Sequence, residues 1–445
     1  MKVEAMKSRR TIMLILLTAF SHHCLAEVDA FDALDAELDA QFEAQDASLE
    51  ADYQALDEAL EQAYERLARE VGATWGEDDV ELPSKVAWVD YSDNLSVRRK
   101  IDFEKGEVTI ERLIDETDNI GEVVASIQQA AASIVVDSPA DLAIRDTALR
   151  YAKAALAKQN IALDDFAQAP PPEQNSSVLG SLGREMPAAD RLSALVASAI
   201  SDDASLPNTA PTSVPRSTTA TASVAPSKGN KKKVSVVVPL PMGFETTLAG
   251  RYQQSVAREA RRQSLPVSLV YAVMETESHF NPRARSAVPA YGLMQLVPRS
   301  GAMDSYRHVY GEKVLLGPDY LYEAEQNVEL GAGYLNLLDT RYLRAVTNDT
   351  SRLYCIIAAY NTGAGNVAKS FTGKTNVSKA APMINALTPQ QVYDHLVKNL
   401  PYEETRHYLQ KVIKAKKKYA SLDRLAAIPQ TAVPRVLASV ALSSQ

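Results

Sequence analysis

One glutamate stands where a helix should place a core residue. In the stretch PVSLVYAVMETESHFNPRARSAVPAYGLMQ, Pro266 suits a first helical turn, and Leu269, Val270, Val273 and Met274 recur at helical spacing. One turn further, that stripe lands on Glu277. Asn281 precedes Pro282, and a residue before proline avoids the α region, so the helix must end just past Glu277. A carboxylate on the inward face near a helix C-terminus is disfavoured by burial and by the helix dipole. Both effects raise its pKa, as a general acid working near neutral pH requires. The plainer alternative is a glutamate at the edge of the core whose carboxylate reaches water.

Later polar or glycine-rich interruptions of helical sequence supply further candidates. They are Ser286, the Gly-Leu-Met-Gln run (Gly292, Met294, Gln295), the Ala-Tyr-Asn-Thr-Gly run from Ala359 (Tyr360, Asn361), and Glu404-Thr-Arg-His-Tyr408. A catalytic acid is often paired with a second carboxylate that serves as base or nucleophile. Only Glu275 and Asp304 are near Glu277 in sequence. Two residues away on a helix, Glu275 points to a different face, and Asp304 has no motif around it. No second carboxylate is thereby marked to share the work of Glu277.

Glu277-Ser-His-Phe-Asn-Pro, followed by Ser286 and Gly-Leu-Met-Gln, resembles the first two motifs of the soluble lytic transglycosylase domain. Ala-Tyr-Asn-x-Gly and Glu-Thr-Arg-x-Tyr resemble that family's later motifs, in the same order. The resemblance covers Phe244 to Tyr419 and implies a mainly α, lysozyme-like catalytic domain that cuts peptidoglycan glycan strands without a cofactor. It implies that Glu277 protonates the glycosidic oxygen between MurNAc and GlcNAc, then takes the proton of the MurNAc 6-hydroxyl. Internal attack by that hydroxyl gives a 1,6-anhydroMurNAc end. Ser286 and Gln295 would bond to Glu277 or the N-acetyl group, and Gly292 would let the backbone approach the glycan. Met294 is counted with them as substrate-binding. Tyr360 would orient the acetamido group, and Asn361 would hold the loop or a sugar hydroxyl. Glu404 and Tyr408, one turn apart, can both face the cleft. Ordinary core packing is the alternative for each tyrosine. A lysozyme-type hydrolase and a non-catalytic wall-binding module remain the competing functions.

A decoy falls away. Gly363-Ala-Gly365-Asn-Val-Ala368 matches a dinucleotide fingerprint, but no Asp or Glu lies between Thr350 and Tyr393 to hold a ribose. The chain of 445 residues carries a formal net charge of −9, which speaks against nucleic acid as a partner. None of the six histidines has metal-ligand spacing, so no metal is expected.

The elements that must position the site follow from the rest of the chain. Residues 1–26 read as a secretion signal, basic and then apolar from Ile12 to Phe20, with cleavage after Ala26. Export to the periplasm is the expectation, with association with the outer membrane left open. Lipidation of Cys24 is disfavoured because His22 and His23 replace the small residues expected before it. Cys355 is then the sole cysteine, expected as a buried inert thiol. Residues 27–71 form an acidic helix whose Leu49, Tyr53, Leu56, Leu60, Ala63 and Leu67 follow a coiled-coil seam. That helix either oligomerises or spaces the chain, or it lies against its own domain. Residues 72–204 are expected as a smaller α+β domain, with a hairpin of Val97–Phe103 and Glu107–Leu113 around Glu104-Lys-Gly106. Helices are expected near 119–133, 139–159 and 188–201. The stretch Val86 to Leu113 resembles the N-terminal domain of the membrane-bound lytic murein transglycosylase C family. Residues 205–233, rich in Pro, Ser, Thr and Ala, read as a flexible linker, and 234–243 as a joining strand. Residues 244–420 form the catalytic domain and 421–445 a tail. Within the catalytic domain helices are expected at 246–263, 266–280, 291–297, 324–342, 351–360, 365–371, 389–398 and 403–419. The last carries Lys411, Lys414, Lys416, Lys417 and Lys418, either a solvated face or a weak hold on anionic stem peptides. Partner proteins of the cell envelope are left open.

Overall fold

The computed structural model describes residues 27–92, 94–159, 161, 179–202 and 220–426. The secretion signal with Cys24, the first part of the expected linker and the last part of the tail lie outside the described residues. Helix α1 (Glu27–Trp75) begins in a unit that runs to Asp52, and a second compact unit starts at Tyr53. From there on, its seam is spent within the chain: Tyr53, Leu56, Leu60, Ala63 and Leu67 are all buried. The Tyr53 hydroxyl donates to Val314 O and accepts from Leu316 N–H, both at 3.0 Å. Over these residues the stripe therefore faces the chain's own body.

Five strands form one antiparallel sheet: β1 (Ala87–Ser92), β2 (Val97–Asp102), β3 (Glu107–Ile114), β4 (Thr221–Pro226) and β5 (Lys232–Pro239), in the order β1-β2-β3-β5-β4. Alternation puts Val234, Val236 and Val238 of β5 on the buried face opposite Ile110 and Val108 of β3. Two features depart from the sequence expectation. Thr221–Pro226, expected as flexible linker, is the edge strand, paired along its length with β5. An edge strand needs only backbone pairing and one half-covered face, so its composition of mostly small residues conceals it. The segment expected merely to join two domains, β5, is an inner strand of the sheet. Helices α2 (Ile120–Val136), α3 (Pro139–Arg145), α4 (Thr147–Lys158) and α5 (Ala189–Asp202) complete this half, with α2 packed on β2, β3 and α5.

The second half is helical: α6 (Phe244–Arg251), α7 (Gln253–Arg262), α8 (Val267–Ser278), α9 (Met303–Tyr310), α10 (Pro318–Tyr322), α11 (Ala324–Leu337), α12 (Asp349–Thr362), α13 (Ala364–Thr372), α14 (Val377–Asn385), α15 (Pro389–Asn399), α16 (Glu403–Lys418) and α17 (Ala420–Ala426). The chain is mainly α, with its small antiparallel sheet confined to the N-terminal half. Helix α8 is buried on nearly every side, against α7, α16 and α17. Tyr291–Val297, expected as a helix, is instead a chain of turns. Its left-handed residues Gly292 (φ 77°) and Gln295 (φ 47°) break any helical run. Sequence reading also passed over α9 and α14, the latter carrying Pro382 in its interior.

The two halves are bonded to each other. Arg283 pairs with Asp146 at 2.9 Å, Lys153 with Asp319 at 2.5 Å, and the Arg285 guanidinium lies 3.5 Å above the Tyr64 ring. Within the first half, Arg98 is 1% exposed and anchors the sheet to the segment after α1. Its guanidinium donates to Glu111 Oε2 (2.6 Å), to Asp79 O (2.7 Å) and to Asp79 Oδ1 (3.0 Å), and lies 4.4 Å from the Trp75 ring. Without the guanidinium, buried Glu111 keeps only the Lys233 ammonium at 3.5 Å, so Arg98→Met should lower stability by about 3 kcal/mol. Urea unfolding checks this as a fall in midpoint with an unchanged slope.

Candidate active site

Helix α8 delivers Glu277 one residue before its end. His279 (φ 49°) and Phe280 (φ 64°) then take left-handed backbone, which turns the chain sharply away. The turn is held from several directions. Ser278 Oγ donates to Leu293 O (2.8 Å), and Arg283 N–H donates to Asn281 Oδ1 (3.0 Å). Fully buried Asn281 in turn donates to Lys85 O (3.3 Å) in the loop ahead of β1. Glu277 thereby opens onto a cleft of about 720 Å³ lined by Lys85, Ser286, Gln295, Tyr360, Asn361, Tyr402, Glu404 and Thr405 among others.

The electrostatics of the carboxyl follow from this position. Glu277 is 5% exposed, and loss of solvent pushes its pKa up from the usual 4.5 to about 7. Lys85 Nζ, 3.8 Å from Oε2, and the Tyr408 hydroxyl oppose that rise, while Glu404 adds to it. The Tyr408 hydroxyl is buried against the carboxyl without a well-formed hydrogen bond. The carboxyl is therefore balanced between its two protonation states near neutral pH.

Four of the expected substrate-binding residues line the cleft together with Ser286: Gln295, Tyr360, Asn361 and Glu404. Their polar atoms are partly committed. Ser286 Oγ donates to Val288 O within its own turn, rather than to Glu277. Gln295 donates to Ala284 O (3.0 Å) and Gly292 O (3.1 Å), leaving its buried Oε1 unpaired. The Tyr360 phenol donates to Met294 O (2.8 Å), and Asn361 Oδ1 accepts from Thr405 Oγ1 (2.7 Å). Glu404 projects into solvent, its side chain 74% exposed.

Three expectations change. Gly292 does not bring backbone to a glycan: a Cβ there would come within 2.4 Å of Asn327 Nδ2 and 2.3 Å of Leu321 O, so glycine serves internal packing. Met294 is fully buried and packs against Gly331, with its N–H donating to Asn327 Oδ1 at 2.7 Å. Tyr408 is off the cleft surface and touches it only through Glu277. The Gly-Leu-Met-Gln run thus serves chiefly as a scaffold that Asn327 pins, also through Tyr291 O (2.8 Å) and Leu321 O (2.7 Å). Neither nearby acid joins Glu277. Glu275 is held by Lys418 (3.0 Å) and Tyr419 on another face, and Asp304 accepts from Tyr342 at 3.5 Å.

Sequence reading missed Lys85 and Tyr402. No local pattern marks Lys85, because its role depends on the packing of one half of the chain onto the other. Tyr402, 57% exposed beside Glu404, carried a readable signal: a large aromatic directly before a motif. Cys355 is fully buried and burial pushes its thiol up to about 12. Of the basic residues on α16, Lys416 lies 3.9 Å from Asp423 and Lys418 pairs with Glu275. Among the described residues no cluster of His, Cys, Asp and Glu could hold a metal ion.

Residues 254–382, which carry the buried acid and most of the cleft wall, match the family described as the Transglycosylase SLT domain. Residues 52–131 match a second family, the N-terminal domain of membrane-bound lytic murein transglycosylase C. Two stretches of the chain are thus similar to two families found in lytic transglycosylases, in the order N-terminal domain and then SLT domain. Membrane-bound lytic murein transglycosylase C of Histophilus somni (strain 2336) is 39% identical over 184 residues, which is 41% of this chain and 50% of that protein. The chain thus spans about half the length of that relative. The protein of the same name from Actinobacillus pleuropneumoniae serotype 5b (strain L20) is 28% identical over 357 residues, 80% of this chain and 85% of that one. Among solved structures, an inactive mutant of lytic transglycosylase Slt from Pseudomonas aeruginosa aligns at 27% identity with a TM-score of 0.30, covering 41% of this chain and 26% of that one. The 70 kDa soluble lytic transglycosylase of Escherichia coli aligns at 14% identity with a TM-score of 0.31, covering 68% and 44%. Scores this low do not by themselves define a shared fold.

The raised carboxyl has a consequence for stability. Between the unfolded value of 4.5 and the folded value of about 7, the folded chain binds more protons at Glu277 than the unfolded one. Stability at this site is therefore lost as pH rises through that window. Glu277→Gln removes the titration. The variant should be more stable than wild type by roughly 3 kcal/mol at about pH 8, with no advantage near pH 4. Urea unfolding of both proteins at the two pH values measures the difference.

Proposed function

We propose that this protein cleaves the β-1,4 bond between MurNAc and GlcNAc in peptidoglycan without water, leaving 1,6-anhydroMurNAc ends. The observation that carries the reading is the Glu277 carboxyl, buried at the cleft wall and poised at about 7. A group so placed is protonated often enough to give a proton and acidic enough to lose one.

In the first step the Glu277 proton goes to the GlcNAc leaving oxygen. The C1–O bond breaks as the N-acetyl carbonyl oxygen bonds to C1. In the second step the Glu277 carboxylate removes the proton of the 6-hydroxyl. O6 bonds to C1, the bond from the N-acetyl oxygen breaks, and Glu277 returns to its starting form. The free Oε1 of Gln295 suits the acetamido N–H, and Asn361 suits a sugar hydroxyl. Tyr360, its proton bound to Met294 O, offers its oxygen as an acceptor. Export to the periplasm accords with the signal-like start and with the envelope-bound relatives. No helix among the described residues is long and apolar enough to cross a membrane.

A two-carboxylate hydrolase is the second reading, because Glu404 lines the same cleft and shares Lys85 with Glu277, at 3.6 Å. Its exposure weighs against it, since a carboxylate whose side chain is 74% exposed is poorly held for attack at a fixed carbon. Digestion of purified murein sacculi separates the two. Mass spectrometry should find anhydro ends from wild type and from Glu404→Gln, whereas reducing ends as the main product would establish the hydrolase. Glu277→Gln should lose turnover by about 10²–10⁴-fold while still binding glycan strands. Retained turnover in that variant would remove Glu277 from the chemistry.

A further inference from the structure

Among the described residues that line the cleft, the one cation comes from the opposite half of the chain. Lys85 belongs to the loop that leads into β1, yet its ammonium lies 3.8 Å from Glu277 Oε2 and 3.6 Å from Glu404 Oε1. The root of this side chain is fixed. Within the loop, Ser84 N–H donates to Ala87 O (2.8 Å) and Ala87 N–H donates to Ser84 Oγ (3.0 Å). From the catalytic half, Arg285 N–H donates to Ser84 O (3.3 Å) and Asn281 Nδ2 donates to Lys85 O (3.3 Å). Both donors sit in the turn that directly follows Glu277's helix. The loop and the acid are therefore tied to a common stretch of backbone, and they keep their spacing together.

From this geometry we infer that Lys85 is a positioning residue of the cleavage site, through which the N-terminal half governs the proton cycle of Glu277. The inference rests on Glu277 being the acid and then the base. An ordinary surface ion pair contributes little, because water screens both partners. Here one partner is buried: the Glu277 side chain is 6% exposed, so the field of the ammonium reaches it with little screening. When Glu277 gives up its proton, negative charge appears in a desolvated wall. Several groups face that charge. Lys85 stabilises it from the β1 loop. From α16, the Glu404 charge opposes it, and the Tyr408 hydroxyl assists it. Tyr360 of α12 is a neutral neighbour whose own ionisation the charge further suppresses. Glu275, on the same helix, is occupied by Lys418 and Tyr419. Lys85 is thus the group that offsets both burial and Glu404. Without it the acid holds its proton too firmly for efficient transfer.

The test is the pH dependence of cleavage of soluble glycan strands by the full chain, as wild type, Lys85→Met, Lys85→Arg and Glu277→Gln. Lys85→Met keeps the backbone latch and the aliphatic stem. It should move the alkaline limb of the kcat profile upward by on the order of one pH unit. It should also lower kcat several-fold, leave KM near the wild-type value, and leave the anhydro product unchanged. Lys85→Arg should restore the wild-type profile. An unmoved alkaline limb in Lys85→Met overturns the inference, whether the variant loses stability or shows only a raised KM, as a mere anion-binding lysine would. That failure leaves the reading of Glu277 standing so long as Glu277→Gln is inactive. An active Glu277→Gln overturns both.

Discussion

Taking one carboxyl group out of water at the end of a helix is the constraint on which this structure depends. Helix α8 is apolar on nearly every face, so it can sit at the centre of the catalytic half only if its last turn is closed off as well. Glu277 and Ser278 are both buried there, and the left-handed pair His279 and Phe280 reverses the chain immediately afterwards. Burial disfavours the charged form and so raises the pKa; the nearby ammonium and phenol keep the rise within the range where a proton can be exchanged. The same surroundings that cost stability at neutral pH make the group useful as an acid.

Around that carboxyl, structure is spent on holding backbone in place. Asn327 pins the turns from Tyr291 to Met294, and Gly292 gives it room. Tyr360 ties the same turns to α12. The sheet half approaches from the other side, with Arg98 locking it to the segment after α1 and Arg283 and Tyr53 bridging the two halves. The described residues from Tyr53 onward are better viewed as one compact unit with a shared cleft than as two domains on a tether. The expected linker supplies that body with an edge strand, and the expected joining strand runs inside its sheet.

What the sequence made legible follows from the range of each interaction. Glu277 stood out because helix periodicity is local and a carboxylate breaks it visibly. The hairpin of β2 and β3 was marked by its glycine turn, and most catalytic helices by their apolar spacing. Motif positions were harder to interpret. Gly292 and Met294 sit in the same run as Gln295, yet they serve packing, and only the tertiary partner Asn327 reveals this. The run from Tyr291 to Val297 has helix-compatible residues, and left-handed backbone at two of them defeats that reading. β4 (TASVAP) has only one large apolar residue, Val224, because an edge needs few. Lys85 was beyond reach altogether, since its meaning lies in a contact between distant parts of the chain.

The account is tested most directly by titrating the Glu277 carboxyl itself. Carbon-13 NMR of the wild-type protein with labelled glutamate carboxyls, assigned by comparison with Glu277→Gln, reports each ionisation separately. The structure predicts that the Glu277 signal titrates near 7. A midpoint at the ordinary value of 4.5 would mean that the carboxylate is solvated in solution, and would contradict a buried acid as the origin of the chemistry.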